Sequence, residues 1–258
     1  MHGAGNDFVV VAGAPPTEDA ALVRALADRR LGIGADGVLF LERLDEDVDF
    51  RMHFYNCDGA RAGLCLNGAR CGALRAVQLG WASSSVRMKT EYSVVEATVD
   101  SDSDPVRVQL RLPLPDAAAR RVELPAGSPA TEGWVVHTGD PHLVIATKEH
   151  DDFEARARPL RWWTEPDAAG SNVHFVHEEV GEWTIRSFER GIEGETLACG
   201  SGCVSALLAL RGKDDGISAD LRTGSGDLIS VGVVGEVLTL EGPAVCVFTT
   251  DWARDGLA

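Results

Sequence analysis

Basic residues are scarce in this chain. Lys and Arg number 24 against 40 Asp and Glu, a formal net charge of −16 over 258 residues. Nucleic acid and anionic membrane surfaces are held through clustered Lys and Arg, so neither is an expected partner. Long apolar runs are missing as well, and nothing approaches the ~20 consecutive apolar residues that span a bilayer. The opening MHGAGNDF has neither the basic nor the apolar stretch of a secretory signal, which makes the cytoplasm the expected location. No Walker A sequence occurs. The run Gly32-Ile33-Gly34-Ala35-Asp36-Gly37 fits G-x-G-x-x-G in letters, but a dinucleotide site needs a strand before it and a helix after it. Here a charged helix end, LADRR, precedes and strand-like VLFLE follows, so that reading fails. Metal-site spacing is also lacking. Cys199-x3-Cys203 and Cys65-x5-Cys71 are not the tight C-x2-C of structural zinc, and no paired histidines complete a set, so no metal is expected.

What the chain does have is six cysteines, at 57, 65, 71, 199, 203 and 246. In a cytoplasmic chain of this size they are expected to be free thiols. Cys57, Cys71, Cys203 and Cys246 read as small buried hydrophobes. Cys65 and Cys199 stand apart. Each opens a short glycine-bearing turn that enters an apolar helical segment, CLNGARCGALRAVQL and CGSGCVSALLAL, and they lie 134 positions apart. Other landmarks recur at nearly that offset. Gly5-Asn6 returns as Gly139-Asp140, Gly34-Ala35-Asp36-Gly37 as Gly170-Ser171-Asn172-Val173, and Tyr55-Asn56 as Phe188-Glu189. The chain reads as two related halves, each presenting one thiol at a helix start.

Pro15-Pro16, a Thr17 N-cap and acidic residues announce a helix with Leu22, Val23 and Leu26 on its apolar face. Strands are expected at VLFLERL, VDFRMHFY, SVRMKT, SVVEATV and VRVQLRL in the first half. WVVHTGDPHLVIAT, NVHFVH and EWTIRSFE continue them in the second, with short strands near 228–234, 236–240 and 245–249 closing the chain. The Pro- and Ala-rich stretch 112–130 reads as the connection between halves. The expected fold is mixed α+β: two pseudo-symmetric domains, each a mostly antiparallel sheet or barrel around a central helix. Residues 1–115, completed by a C-terminal strand within 244–258, form the domain of Cys65, and 116–243 that of Cys199.

At a helix start, unpaired backbone N–H groups and the positive helix end face the cysteine sulfur. That setting is expected to lower the thiol pKa, and the same N–H groups bind a carboxylate. Asn56, His142, Asn172, Glu189 and Arg190 belong to the repeated landmarks and are candidates to reach a ligand. His53, His150 and His177 receive no role.

HGAGNDF, GIGADG, NCDG followed by CLNGARC, GDPH, SNVHFV and ERGIEGETLACGSG resemble the diaminopimelate epimerase family, in the same order over nearly the whole chain. The resemblance implies a cofactor-free amino-acid epimerase of two similar domains around a cleft that holds the active site, with one catalytic cysteine per domain. Inverting an α-carbon needs a base on one face and an acid on the other. By this resemblance Cys65 and Cys199 exchange those roles as LL- and meso-diaminopimelate interconvert in lysine and peptidoglycan precursor synthesis. His142 and Glu189 would set thiol protonation. The backbone donors of Leu66, Asn67, Gly200 and Ser201 would stabilise charge on the α-carboxylate. Asn6, Asn56, Asn172 and Arg190 would hold the distal amino-acid end, with Arg190 on its carboxylate, and a homodimer is implied.

Three residues depart from the family pattern. Leu66 stands where glycine usually follows the first cysteine, Asp140 replaces asparagine near the expected distal ammonium, and Ala60 replaces serine. These leave open a racemase acting on another amino acid. A thiol redox or metal-binding protein is the alternative from a different class.

Overall fold

The segment GVLFLER is apolar on consecutive positions, the signature of a strand covered on both faces. The computed structural model, which describes residues 1–13, 19–44, 47–148 and 151–252, bears this out. Val38 and Phe40 pack with Val23, Leu26 and Ala27 of one helix. Leu39 and Leu41 turn the other way, towards Gly68 and Gly72 of a second helix.

Contacts divide the chain into two units, Met1–Leu110 with the described residues from Gly242 on, and Arg111–Glu241. The first carries β1 (His2–Gly3), β2 (Asn6–Ala12), α1 (Ala20–Ala27), β3 (Gly37–Arg43), β4 (Phe50–Asn56), β5 (Arg61–Ala62), α2 (Leu66–Gln78), β6 (Ser85–Lys89) and β7 (Val94–Asp100). β8 (Arg107–Pro113) straddles the division. The second carries β9 (Arg120–Glu123), β10 (Glu132–His137), β11 (Pro141–Ala146), α3 (Phe153–Arg161), β12 (Asn172–Glu179), β13 (Glu182–Glu189), β14 (Gly194–Thr196), α4 (Gly200–Arg211), β15 (Ser218–Arg222) and β16 (Leu228–Val234), before β17 (Val237–Pro243). No helix among the described residues is long and apolar enough to cross a membrane.

Both units follow one pairing scheme. In the first, β1–β2, β3–β4, β4–β5 and β6–β7 run antiparallel, while β2–β3 and β4–β6 run parallel. In the second, β10–β11, β12–β13, β13–β14 and β15–β16 are the antiparallel pairs, and β11–β12 and β13–β15 the parallel ones. Each parallel step is crossed by a helix, as its geometry requires. α2 touches β1, β2, β3, β4, β6 and β7, and α4 touches β10, β11, β12, β15 and β16, so each sheet curls about its own helix. Small residues allow that close approach. Gly68, Ala69, Cys71, Gly72 and Ala73 are buried in α2, as are Gly202, Cys203, Ser205 and Ala206 in α4. The outer faces hold separate apolar clusters, one under α1 and one in which Phe153, Ala157 and Leu160 of α3 meet Val173, Phe175 and Phe188. The fold is the expected mixed α+β arrangement of two pseudo-symmetric units.

Several local expectations need correction. The first helix is capped by Asp19, which accepts from the N–H groups of Ala21 and Leu22; Pro15, Pro16 and Thr17 lie outside the described residues, as does His150. The stretch 112–130 contains β9 rather than being wholly a connector. No strand forms at 245–249. Val245 makes only an isolated bridge to His2. α3 has no counterpart among the expected elements, because Pro159 and four charged residues break up its apolar stripe. None of the six cysteines is in a disulfide, but Cys57 is exposed and Cys246 half-buried, so only Cys71 and Cys203 are the buried hydrophobes expected.

Candidate active site

Cys65 and Cys199 are each the N-cap residue of a central helix, in extended backbone immediately before α2 and α4. Each thiol therefore stands at the positive end of a helix whose first N–H groups have no intrahelical partner. Their surroundings differ.

Around Cys65 the chain builds an asparagine-centred network. The Cys65 thiol donates to Asn6 Oδ1 at 3.7 Å, and Asn67 Nδ2 donates to the same oxygen at 3.2 Å. Asn6 Nδ2 in turn donates to Asp36 Oδ2 at 2.8 Å. Arg29 clamps this end, reaching both oxygens of Asp7 at 2.8 Å and Asp36 Oδ1 at 2.7 Å. Burial alone would raise the Asp7 carboxyl, but Arg29 and the Asp36 N–H hold it below its ordinary value. At the other end the fully buried Arg70 donates to Asn67 Oδ1 at 3.0 Å and to the Pro243 carbonyl at 3.1 Å. Asn6 is thus engaged in orienting Cys65. Leu66 is half-buried at the helix start. Asn56 stands exposed at the end of β4 and makes no hydrogen bond to this cluster among the described residues.

Around Cys199 the neighbours are Ser201, at 3.5 Å from its sulfur, and the Gly202 N–H, which donates to that sulfur at 3.3 Å. Gly200 is buried beside it, at the first position of α4. The helix start was expected to lower both thiol pKa values. At Cys199 the opposite holds: burial, and then the negative charge of Glu189, push the thiol well above 9.0, outweighing the Ser201 and Gly202 hydrogen bonds. Desolvation of a charge exceeds what a helix end returns. Glu189 is half-buried and accepts from Thr196 Oγ1. Asn172 joins two landmarks, accepting the Arg190 N–H at 2.8 Å and donating to the Pro141 carbonyl at 3.4 Å. The Arg190 guanidinium is bound by Asp140.

His142 lies fully buried on β11, its Nδ1 2.8 Å from Nε2 of His174 on β12. His174 Nδ1 is 2.9 Å from Ser187 Oγ on β13. Burial, then His174, His137 and Arg190, hold His142 well below 6.5, and burial lowers His174 to about 3, so both rings are neutral. The sequence spacing gave no hint of this histidine pair. A nitrogen of each ring and the Cys199 sulfur lie within 4.8 Å of one another, the one such His/Cys/Asp/Glu group among the described residues. Two imidazole nitrogens bound ~2.0–2.1 Å from one tetrahedral ion stand roughly 3.3 Å apart. The facing nitrogens here are closer and are joined by a hydrogen bond that an ion would have to part.

The structure therefore gathers Asn6, Leu66 and Asn67 with Cys65, and His142, Glu189, Gly200 and Ser201 with Cys199, with Asp140 and Arg190 on adjoining turns and Asn172 at the start of β12. Sequence reasoning missed Arg29, Asp36 and Arg70 behind Cys65, and His174, Ser187 and Thr196 on the Cys199 side. Asp36 belonged to a repeated landmark and could have been found there; the others depend on strand register.

Comparison with known proteins agrees with the residue pattern. A family model described as diaminopimelate epimerase matches residues 1–111. Diaminopimelate epimerase of Gemmatimonas aurantiaca is 36% identical over 241 residues, 90% of this chain and 86% of its own. That of Chlorobaculum tepidum is 36% identical over 262 residues, 96% of this chain and 98% of its own. Among solved structures, a phenazine biosynthesis protein of the PhzF family from Enterococcus faecalis has a TM-score of 0.69 at 15% identity, covering 95% of this chain and 91% of that one. A hydroxyproline epimerase from Agrobacterium vitis has a TM-score of 0.62 at 16% identity, covering 94% and 86%. At such identities these two likenesses speak for the fold alone.

Proposed function

Because this chain belongs to the diaminopimelate epimerase family, we propose that it interconverts LL- and meso-diaminopimelate, an isomerase step of lysine and peptidoglycan precursor synthesis, in the cytoplasm. The observation that carries the mechanism is the matched placement of Cys65 and Cys199 as N-caps of the two central helices. One thiol, as thiolate, takes the α-proton while the other, still protonated, delivers a proton to the opposite face of the carbon. The roles exchange for the other stereoisomer. Charge that develops on the α-carboxylate in the planar intermediate is met by helix N-terminal N–H groups at Leu66 and Asn67, and at Gly200 and Ser201. The scheme needs no pyridoxal phosphate, since these donors stabilise the carbanionic form and so raise the acidity of the α-proton, and the thiolate is the base that removes it. Arg190 serves the distal carboxylate, with Asn56 and Asn172 shaping that end, while Asn6 orients Cys65. The partner is a small amino acid, and the working form is a homodimer.

Incubation with diaminopimelate in D2O tests this. Wild-type protein should place deuterium at Cα and equilibrate the stereoisomers, and Cys65→Ala and Cys199→Ala should each abolish equilibration while staying folded. Full turnover by either variant would falsify the two-thiol scheme. A second reading, a racemase for another amino acid, is favoured by one observation: Asp140 occupies the Arg190 guanidinium that a distal carboxylate would use. Exchange on a monocarboxylic amino acid with none on diaminopimelate would select it.

A further inference from the structure

Through their shared pairing scheme the two units correspond position by position. Phe8 of β2 faces Gly37 of β3 as His142 of β11 faces Asn172 of β12. Leu39 faces Phe54 across β3–β4 as His174 faces Ser187 across β12–β13. Gly68 of α2 lies against Leu39 and Phe8, and Gly202 of α4 lies against the His174 ring. The places held by Phe8, Leu39 and Phe54 in one unit are therefore held by His142, His174 and Ser187 in the other. The apolar trio makes an ordinary core contact, with the Phe8 and Phe54 rings edge to face at 6.1 Å. The scaffold evidently does not require polar groups there.

The polar trio carries a cost that its apolar counterpart avoids. Its internal hydrogen bonds are made, but His142 Nε2 is buried with no hydrogen-bond partner among the described residues. Such an orphan costs about 1–3 kcal/mol and calls for an explanation. The direction of the chain of hydrogen bonds follows from counting donors. The buried Ser187 hydroxyl has His174 Nδ1 as its partner and must donate to it, or leave its own proton unpaired. His174 then carries its proton on Nε2 and donates to His142 Nδ1, which places the proton of His142 on Nε2.

We propose that Ser187 and His174 are positioning residues that fix His142 as the neutral tautomer protonated on Nε2, a hydrogen-bond donor for the thiolate form of Cys199. The proposal rests on the two-thiol reading above for its catalytic consequence. Burial and Glu189 disfavour the Cys199 thiolate, and the His142 ring, one nitrogen of which lies within 4.8 Å of the Cys199 sulfur, offers that form a neutral donor without adding a buried charge. The groups bearing on the pair are Glu189 of β13, Ser201, Gly202 and Cys203 of α4, His137 of β10, and Arg190 after β13.

The tautomer is read directly by 15N spectroscopy of protein labelled at histidine. His142 should show a protonated Nε2 and an unprotonated Nδ1; the reverse assignment, or an imidazolium, overturns the proposal. His174→Phe keeps a flat ring against Gly202 and removes both hydrogen bonds, and Ser187→Ala removes only the outer one. In both, the pH midpoint for alkylation of Cys199, followed by peptide mass spectrometry, should move upward. The kcat/KM for diaminopimelate should fall by about 10- to 100-fold, the range seen when a supporting hydrogen-bond partner is lost. The fall should be equal in both directions, as the unchanged equilibrium requires, with KM nearly constant. Ser187→Thr, which keeps the hydroxyl, should restore the alkylation profile. An unchanged profile in folded His174→Phe or Ser187→Ala overturns the proposal, whatever happens to rate; if His174→Phe fails to fold, Ser187→Ala decides. Should wild-type protein not exchange Cα of diaminopimelate, the substrate reading fails, while tautomer and alkylation profile still decide this one.

Discussion

The guanidinium of Arg190 is held by the carboxylate of Asp140, the residue that stands where the family pattern has asparagine. The pair is only partly shielded, with Asp140 59% and Arg190 31% exposed, so it contributes about 0–1 kcal/mol. A substrate carboxylate approaching Arg190 competes with Asp140 for the guanidinium. Asp140→Asn removes that competitor and should lower KM for diaminopimelate by up to about 5-fold, the equivalent of ~1 kcal/mol, with kcat little changed. Steady-state kinetics in both directions measure this. A rise in KM would make Asp140 itself a contact to the distal ammonium.

The buried histidines predict acid sensitivity of the fold. Both His142 and His174 have folded-state pKa values below 6.5, so the unfolded chain takes up protons that the folded one refuses. Their stabilising contribution is complete above pH 6.5 and is lost as pH falls below it. Each histidine then costs ~1.4 kcal/mol per pH unit, and the two together cost about 2–3 kcal/mol between pH 7 and 5.5. Urea unfolding at those two pH values should show the drop, and His174→Phe should show about half of it. A flat profile would mean that the rings take up protons in the folded state.

Gly202 is held small by its neighbour. A Cβ there would stand 2.4 Å from His174 Cε1, with the two ring nitrogens at 2.7 and 2.9 Å. Gly to Ala inside a helix ordinarily gains ~1 kcal/mol, but overpacking of a buried ring costs about 1–3 kcal/mol and wins. Gly202→Ala should lower stability, whereas Gly68→Ala meets the flexible tip of Leu39 at 3.1 Å and should stay within about 1 kcal/mol of wild type. Denaturant midpoints of the two variants compare them. A more stable Gly202→Ala would show that the His174 ring gives way freely.

Asn6 bears on Cys65 directly. Asn6→Ala takes away the acceptor of the Cys65 thiol and the group that links Asn67 to Asp36. The kcat/KM for diaminopimelate should fall at least about 10-fold, with the melting temperature reduced by only a few degrees. Unchanged kcat/KM would show that Cys65 is positioned by the helix start alone.

The sequence made the two thiols legible because their signals are local: a cysteine, small residues and an apolar helical run, repeated at one offset. The strands read well for the same reason, since alternation in SVVEATV and VRVQLRL reports one covered face. What escaped was non-local. His142 and His174 are 32 residues apart and meet only through the parallel register of β11 and β12, and Ser187 joins them only through the antiparallel register of β12 and β13. The acidity of Cys199 was misjudged because burial depends on the whole unit, whereas a helix start is visible in four residues.

The correspondence between Phe8, Leu39 and Phe54 on one side and His142, His174 and Ser187 on the other has a consequence for how such a protein changes over generations. A flat or branched side chain under the helix glycine is all the backbone demands, so chemistry at those three places can drift without remodelling the sheet. The two halves need not evolve in step. One can retune its thiol while the other keeps apolar side chains at the matching places, and a change at position 174 that shrinks the ring releases position 202 to grow. Histidine at 174 and glycine at 202 should therefore come and go together among descendants of this sequence.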